Sequence, residues 1–260
     1  MDEPIIRKYL IESVRIDEEI SAVLVGDLHN CVYGSDNDVL LDRIRDCHPD
    51  VIFCTGDMIV AKHPEQTETA RSFMERLAGI APVYYANGNH EMSFHLSEAE
   101  RADYFSFLLS SGIHMLRNRH ETLLLKGNRL QIYGLEIPSS LYKKFRIPRF
   151  SREEIASRIG NPEDDHFCIL LAHNPIFVPS YFSWGADLTL CGHNHGGMIR
   201  LPSGRSLLSP YGYPLPRFGY GKFFRDGKYA VVTSGLGDHA IPFRINNPKE
   251  IVHLILKGLS

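Results

Sequence analysis

The chain has no uninterrupted apolar run near the ~18 residues that a membrane-spanning helix needs. Its opening stretch carries Asp2, Glu3, Arg7 and Lys8, which leaves no apolar core for a secretory leader. Positive charge is not in excess either. The formal net charge is -3, so no general attraction to nucleic acid is expected and no nucleic-acid surface is read. The five cysteines (Cys31, Cys47, Cys54, Cys168 and Cys191) are odd in number and form no CxxC pair. That pattern excludes a disulfide framework and a thiolate zinc site, and reduced thiols in the cytoplasm are the expectation. Repeats, low-complexity tracts and a compositional break are all missing, and 43% hydrophobic with 23% charged residues is an ordinary globular balance. One domain over residues 1–260 follows as the expectation.

What the chain does have is a series of short apolar runs, at residues 22–25, 51–54, 83–85, 167–171 and 187–191. Such runs, bounded by turn-forming residues, read as buried strands. Between them, helical spacing of apolar residues predicts helices after Asp36 or Asn37 (Val39, Leu40, Leu41, Ile44) and over 67–77, 98–109 and 153–159. An opening strand is expected at 9–16, with short strands near 114–116, 122–125 and 130–133. In the C-terminal third, strands at 198–201, 228–233 and 251–256 are expected to pair antiparallel. Alternation of strands and helices argues for an α/β fold with a largely parallel first half.

The strand exits carry the chemistry. The first ends in Asp27 and His29, the second in Asp57, the third in Asn89 and His90, the fourth in His173, and the fifth in the glycine-fenced turn Gly192-His193-Asn194-His195-Gly196-Gly197. Singly, each has an ordinary reading, since aspartate after a strand makes a turn or cap and histidine there is usually exposed. Together they place oxygen and imidazole ligands at consecutive strand ends, where α/β sheets bind ligands.

In order and spacing, Asp27-x-His29, Gly56-Asp57, Gly88-Asn89-His90-Glu91, His173 and Gly192-His193-x-His195 resemble the calcineurin-like metallophosphoesterases. The later Gly196-Gly197, Gly235-Leu236-Gly237, Pro242, Arg244 and Asn247-Pro248 look like the small bacterial phosphodiesterase branch of that family. The resemblance implies a four-layer αββα fold, a β-sandwich of two mixed sheets flanked by helices. It implies two divalent metal ions, manganese first, with iron, zinc or magnesium as alternatives. Asp27, His29, Asp57 and His195 would bind one metal, and Asp57, Asn89, His173 and His193 the other, with Asp57 bridging. Oxygen and imidazole ligands suit such metals, and a metal pair can clamp a phosphate ester and supply hydroxide at neutral pH. The implied enzyme is therefore a metal-dependent phosphoric ester hydrolase acting on a small phosphate ester. Its bridging hydroxide would attack a phosphodiester or phosphomonoester. His90 would stabilise the developing charge and protonate the leaving group, with Asp27 orienting the imidazole. Two departures, Glu91 for the more frequent aspartate and Asn194 for threonine, bear on the contacts that orient ligands.

The resemblance leaves two alternatives: a pyrophosphatase acting on a lipid-linked sugar nucleotide, and a non-catalytic scaffold of the same fold. His239 is a candidate for touching substrate, and Arg244 either grips a phosphate or makes a structural ion pair. The run containing Lys143, Lys144, Arg146, Arg149 and Arg152 with Tyr142, Phe145 and Phe150 could hold substrate, rest on an anionic membrane or be a solvated loop. Trp184, Phe177, Tyr181 and Phe182 either fill core or line a pocket, and residues 211–221 read as an aromatic flap. His48, His63, His95, His114, His120, His166 and His253 read as surface or structural histidines.

Overall fold

Each apolar run becomes a strand buried on both faces, and that double burial sets the layering. A computed structural model describes residues 3–93, 95–142, 148–197, 199–208, 212, 214–238 and 244–259. Strand β1 (Ile5–Glu12) opens the chain and is followed by β2 (Ile20–Val25), α1 (Asp38–Arg45), β3 (Val51–Cys54), α2 (Glu68–Ala78), β4 (Val83–Tyr85), α3 (Glu98–Ser110) and β5 (His114–Met115). The second half runs β6 (Arg119–Leu125), β7 (Asn128–Gly134), α4 (Arg152–Ile159), β8 (Phe167–Leu171), α5 (Val178–Trp184), β9 (Leu188–Cys191), β10 (Gly221–Arg225), β11 (Lys228–Val232) and β12 (Glu250–Lys257).

Two six-stranded sheets form, ordered β1-β12-β2-β3-β4-β5 and β10-β11-β9-β8-β7-β6. Ala22, Leu24, Val51 and Phe53 of the first sheet pack with Ile132, Ile169, Leu171, Leu188 and Leu190 of the second. Their neighbours Val23, Val25, Ile52 and Cys54 point outward to Leu40, Leu41, Phe73, Leu77 and Tyr104 on α1, α2 and α3. On the far side, Cys168, Leu170 and Val232 meet Ile155, Ile159, Tyr181 and Trp184 of α4 and α5. The architecture is the expected αββα sandwich. Capping boxes start α3 at Ser97 with Glu100 and α4 at Ser151 with Glu154.

Several expectations need correction. The opening strand spans Ile5–Glu12 rather than 9–16, because eight residues pair in parallel with β12 and the chain then leaves so that Arg15 can meet Asp187 at 2.7 Å. Asn37 occupies the N-cap position of α1 but does not cap it; its Oδ1 accepts instead from the Tyr33 N–H at 2.9 Å. The stretch 198–201 is no strand among the described residues and makes only isolated bridges, Ile199 to Ile245 and Arg200 to Ser206. The C-terminal strands are not uniformly antiparallel: β11 runs parallel to β9 and antiparallel to β10, while β12 runs parallel to β1 and antiparallel to β2. Helix α5 and strand β10 were not expected. Trp184 and its aromatic neighbours fill core, with Trp184 Nε1 donating to the Gly160 carbonyl at 2.8 Å. No described helix is long and apolar enough to cross a membrane.

Candidate metal centre

The carboxyl ends of β2, β3, β4, β8 and β9 open into loops that converge at one end of the sandwich. Asp27, His29, Asp57, His193 and His195 all sit there with φ of 52, 49, 54, 67 and 48°. Left-handed backbone at non-glycine residues is uncommon and persists where the surroundings over-determine it. Here the surroundings are mutual. The Asp27 N–H donates to the Gly56 carbonyl at 2.9 Å, and the His29 N–H to the Asp57 carbonyl at 3.1 Å. The His193 N–H donates to the Asp27 carboxylate at 3.0 Å, and the His90 N–H to Asp57 Oδ1 at 2.7 Å. Gly88 must be glycine, since a Cβ there would lie 2.2 Å from Asp57 Oδ1.

Two groups of side chains result. Ligand atoms of Asp27, His29 and His195 lie within 4.8 Å of one another, as do those of Asp57, His173 and His193. His29 also groups with Asp57 and His90. His29 Nε2 stands 3.9 Å from both Asp27 Oδ1 and Asp57 Oδ2, and 3.1 Å from His195 Nε2. The two histidines of the turn thus fall into different groups.

The donor set and its electrostatics fit a pair of cations. His173 Nδ1 is 2.7 Å from the Thr55 carbonyl, which calls for a hydrogen on Nδ1 and turns Nε2, the candidate ligand atom, toward Asp57 Oδ2 at 3.0 Å. Burial alone would lower the His173 pKa, but Asp57 and Asp27 raise it to about 9. Burial, opposed by His173 and reinforced by Asp57, raises Asp27 to about 7. Burial also opposes ionisation of Asp57, yet His173 beside it holds it well below the usual carboxylate range. Two buried carboxylates that draw protons onto their neighbours are a site in which metal would displace those protons. Asn89 Oδ1 is buried with no hydrogen-bond partner among the described residues, an oxygen suited to the same task.

Asp27, His29, Asp57, His90, His173, His193 and His195 are brought together, Asn89 precedes His90 on the same loop, and the structure adds other residues. His90 Nδ1 accepts from the Ala61 N–H at 3.1 Å, and its ring meets His29 edge-on at 4.7 Å between centroids. Among the described contacts, Asp27 reaches His29, His173, His193 and His195 but not the His90 ring. Glu91 is fully buried and accepts four bonds, from the N–H groups of Asp57, Met58 and Gly88 at 2.9 Å each and from the Tyr85 hydroxyl at 2.8 Å. Asn247 Nδ2 donates to the carbonyls of His195 at 2.6 Å and Gly197 at 2.9 Å, pinning the last loop from a distant part of the chain. The Arg244 guanidinium donates to the Ser234 carbonyl at 2.8 Å and the Gly237 carbonyl at 2.5 Å, and its Nε lies 3.4 Å from Asp238. These contacts match its structural reading, and its Nη2 also lies 3.4 Å from His195 Nδ1, at the edge of the site. Tyr142 meets His193 edge-on at 5.1 Å.

His239, Pro242, residues 143–147 of the basic run, and Tyr211 and Tyr213 of the flap lie outside the described residues. His166 forms a separate small group with Glu163 and Asp165 at the start of β8, the end of that strand opposite His173. A groove of about 690 Å³ lined by Arg15, Trp184, Asp187 and Tyr229 lies at the starts of β9 and β11, the end of the strands opposite the site.

An uncharacterized metallophosphoesterase of Aquifex aeolicus (strain VF5) is 25% identical over 97% of this chain and 92% of its own length. The phosphodiesterase YaeI of Escherichia coli (strain K12) is 25% identical over 59% of this chain and 52% of its own. A 5′-nucleotidase candidate from Staphylococcus aureus, solved with alpha-ketoglutarate, shares the fold with a TM-score of 0.53 at 12% identity, covering 94% of this chain and 55% of that one. The sequence model of the calcineurin-like phosphoesterase family matches residues 20–197, a span that runs from β2 through both histidines of the last loop. The chain belongs to the calcineurin-like phosphoesterase family, which is divalent-metal dependent, and is a metal-dependent phosphoester hydrolase.

Proposed function

We propose that this chain hydrolyses a phosphodiester, with residues 1–260 acting as one catalytic domain. The observation that carries the reading is the pair of ligand groups joined at Asp57, His29 and the His193–His195 turn. Asp27, His29, Asp57 and His195 would hold one cation, and Asp57, Asn89, His173 and His193 the second, with Asp57 shared. When bound, two divalent cations neutralise phosphoryl charge and activate water as a nucleophile at neutral pH. The Escherichia coli relative is a phosphodiesterase, which favours a diester over a monoester.

The remaining chemistry falls to His90. Because the Ala61 N–H points at Nδ1, a neutral His90 ring carries its hydrogen on Nε2. That atom can donate to an oxygen that gains charge as the ester bond breaks. Placing a second proton on Nδ1 would set two donors against each other. The geometry therefore favours His90 as a hydrogen-bond donor to the developing charge over a general acid acting from imidazolium. Leaving groups of different pKa test this: donation alone predicts that His90→Gln, which keeps an N–H donor, retains more activity than His90→Ala on bis-p-nitrophenyl phosphate and on an alkyl diester alike, whereas proton transfer predicts that both variants lose far more on the alkyl diester, whose leaving group needs the proton. Asp57→Asn should abolish manganese-stimulated hydrolysis of that diester. Full activity in purified Asp57→Asn, or no metal uptake by the wild type, overturns the reading and leaves a scaffold.

A further inference from the structure

Just beyond the His193–His195 turn a set of isolated bridges pairs short segments of the chain in an inverted pattern. Ile199 bridges Ile245 in parallel, Arg200 bridges Ser206 and Leu208 bridges Pro214, both antiparallel. The Leu207 N–H donates to the Ile199 carbonyl at 2.8 Å and the Leu215 N–H to the Leu207 carbonyl at 2.8 Å. Ile245, Ile199, Leu207 and Leu215 therefore lie side by side across the strands, and cross-strand neighbours share a face.

That face is the outer one. Ile245, Leu207 and Leu215 are 41%, 36% and 41% exposed, whereas Arg200 and Ser206, one position along, are 6% and 2% exposed; Leu208, farther out along the same segment, adds a further apolar side chain that is 37% exposed. The polar pair faces the active-site loop. Ser206 Oγ donates to the Gly196 carbonyl at 2.7 Å, and Arg200 bonds Asn247. A soluble protein's sheet normally turns its apolar side inward, so aliphatic side chains left outside beside a functional loop mark a surface that meets something apolar.

Charge indicates the partner. From Asp187 to Asp226 the chain holds no intervening carboxylate, and Arg205 and Arg217, next to the row, are both exposed. The overall charge is nonetheless -3, so this cationic bias is local. An aliphatic row flanked by arginines that have no ion pair among the described residues matches the boundary of an anionic lipid bilayer, where apolar side chains enter the acyl region while guanidinium groups meet phosphates. A second copy of the chain would bring the same arginines near one another.

We propose that this outer row, Ile199, Leu207, Leu215 and Ile245 with Arg205 and Arg217, docks the protein on an anionic lipid surface, so that the mouth of the metal centre works at that surface. The inference does not depend on the diester reading. The test is sedimentation of the full chain with phosphatidylcholine vesicles, with and without phosphatidylglycerol, at low and high salt. Expected is partition onto the phosphatidylglycerol vesicles that weakens with salt and falls about tenfold or more in Leu207→Glu/Leu215→Glu. Arg205→Ser/Arg217→Ser should lose the preference for anionic vesicles. Both variants should keep wild-type hydrolysis of a soluble diester, which reports that they fold. Absence of wild-type partition, or equal partition of the leucine variant, overturns the proposal. So does a concentration-dependent dimer that the leucine variant abolishes without any vesicle binding. Vesicle binding by a protein that hydrolyses no phosphoester would leave the docking surface standing and sink the proposed function instead.

Discussion

Replacing Glu91 by glutamine removes one negative charge and no volume, and the structure sets what that should cost. The carboxylate divides its acceptors: Oε2 takes the N–H groups of Asp57 and Gly88, Oε1 takes the Met58 N–H and the Tyr85 hydroxyl. A glutamine amide can satisfy one pair with its oxygen, but its NH2 then faces the other pair as donor against donor. With the NH2 at the Oε1 position, Tyr85 can turn its hydroxyl to accept, which leaves only the Met58 N–H opposed. One orphaned buried donor costs ~1–3 kcal/mol, and loss of charge assistance at the surviving bonds adds ~1 kcal/mol. The sum, about 2–4 kcal/mol, corresponds to a melting point lowered by roughly 5–15 °C for a chain of this size. Calorimetry of the metal-free protein is the assay, because bound metal would mask part of the change. Because two of the four donors belong to Asp57 and Met58, manganese affinity should fall as well. Glu91→Gln melting within about 1 °C of wild type would refute the claim that this carboxylate anchors the Asp57 loop.

Three other outcomes follow from the same reasoning. Gly88→Ala puts a Cβ 2.2 Å from Asp57 Oδ1, so activity and metal stoichiometry should collapse with only a modest change in circular dichroism. Arg244→Lys loses the forked donation to Ser234 and Gly237, so urea stability should drop by ~1–3 kcal/mol with KM for a soluble diester little changed; a raised KM at unchanged stability would return Arg244 to the role of phosphate ligand. Burial lowers the pKa of His253 below its ordinary 6.5. The folded state thus binds this proton less tightly than the unfolded chain, and stability present above about pH 7 should decline as the pH falls through 6.5 toward the folded pKa. His253→Gln should flatten that part of the urea-midpoint profile, and an unchanged slope would exclude His253 as its source.

How much of this was legible in advance differs by element. The runs of β3, β4 and β8 coincide with the expected ones because both faces of those strands are buried and the apolar signal is uninterrupted. At β1 the signal fails: Leu10 is 38% exposed on an edge strand, and pairing with β12 sets the limits instead of local pattern. Helix α5 carries no clear signal because it is only seven residues long, less than the span over which a helical period can be read. Asn37 had the residue type of a cap, but a competing backbone donor at Tyr33 took its side chain.

The chemical inventory of the site was set by the sequence alone: aspartates, histidines and an asparagine at successive strand exits, with glycines where the loops crowd together. Those residues are chemically distinctive and local, so their type and order can be read without coordinates. Tertiary structure decided everything that depends on which backbone atom lies opposite which side chain. The Ala61 N–H that selects the His90 tautomer, the Thr55 carbonyl that turns His173 inward, Glu91 as the anchor of Asp57, and Asn247 as the clamp on His195 carry no signature in residue type. Nor does the outward face of the Ile199, Leu207, Leu215 and Ile245 row, since a side chain's direction there follows from strand register, which only the paired chain defines.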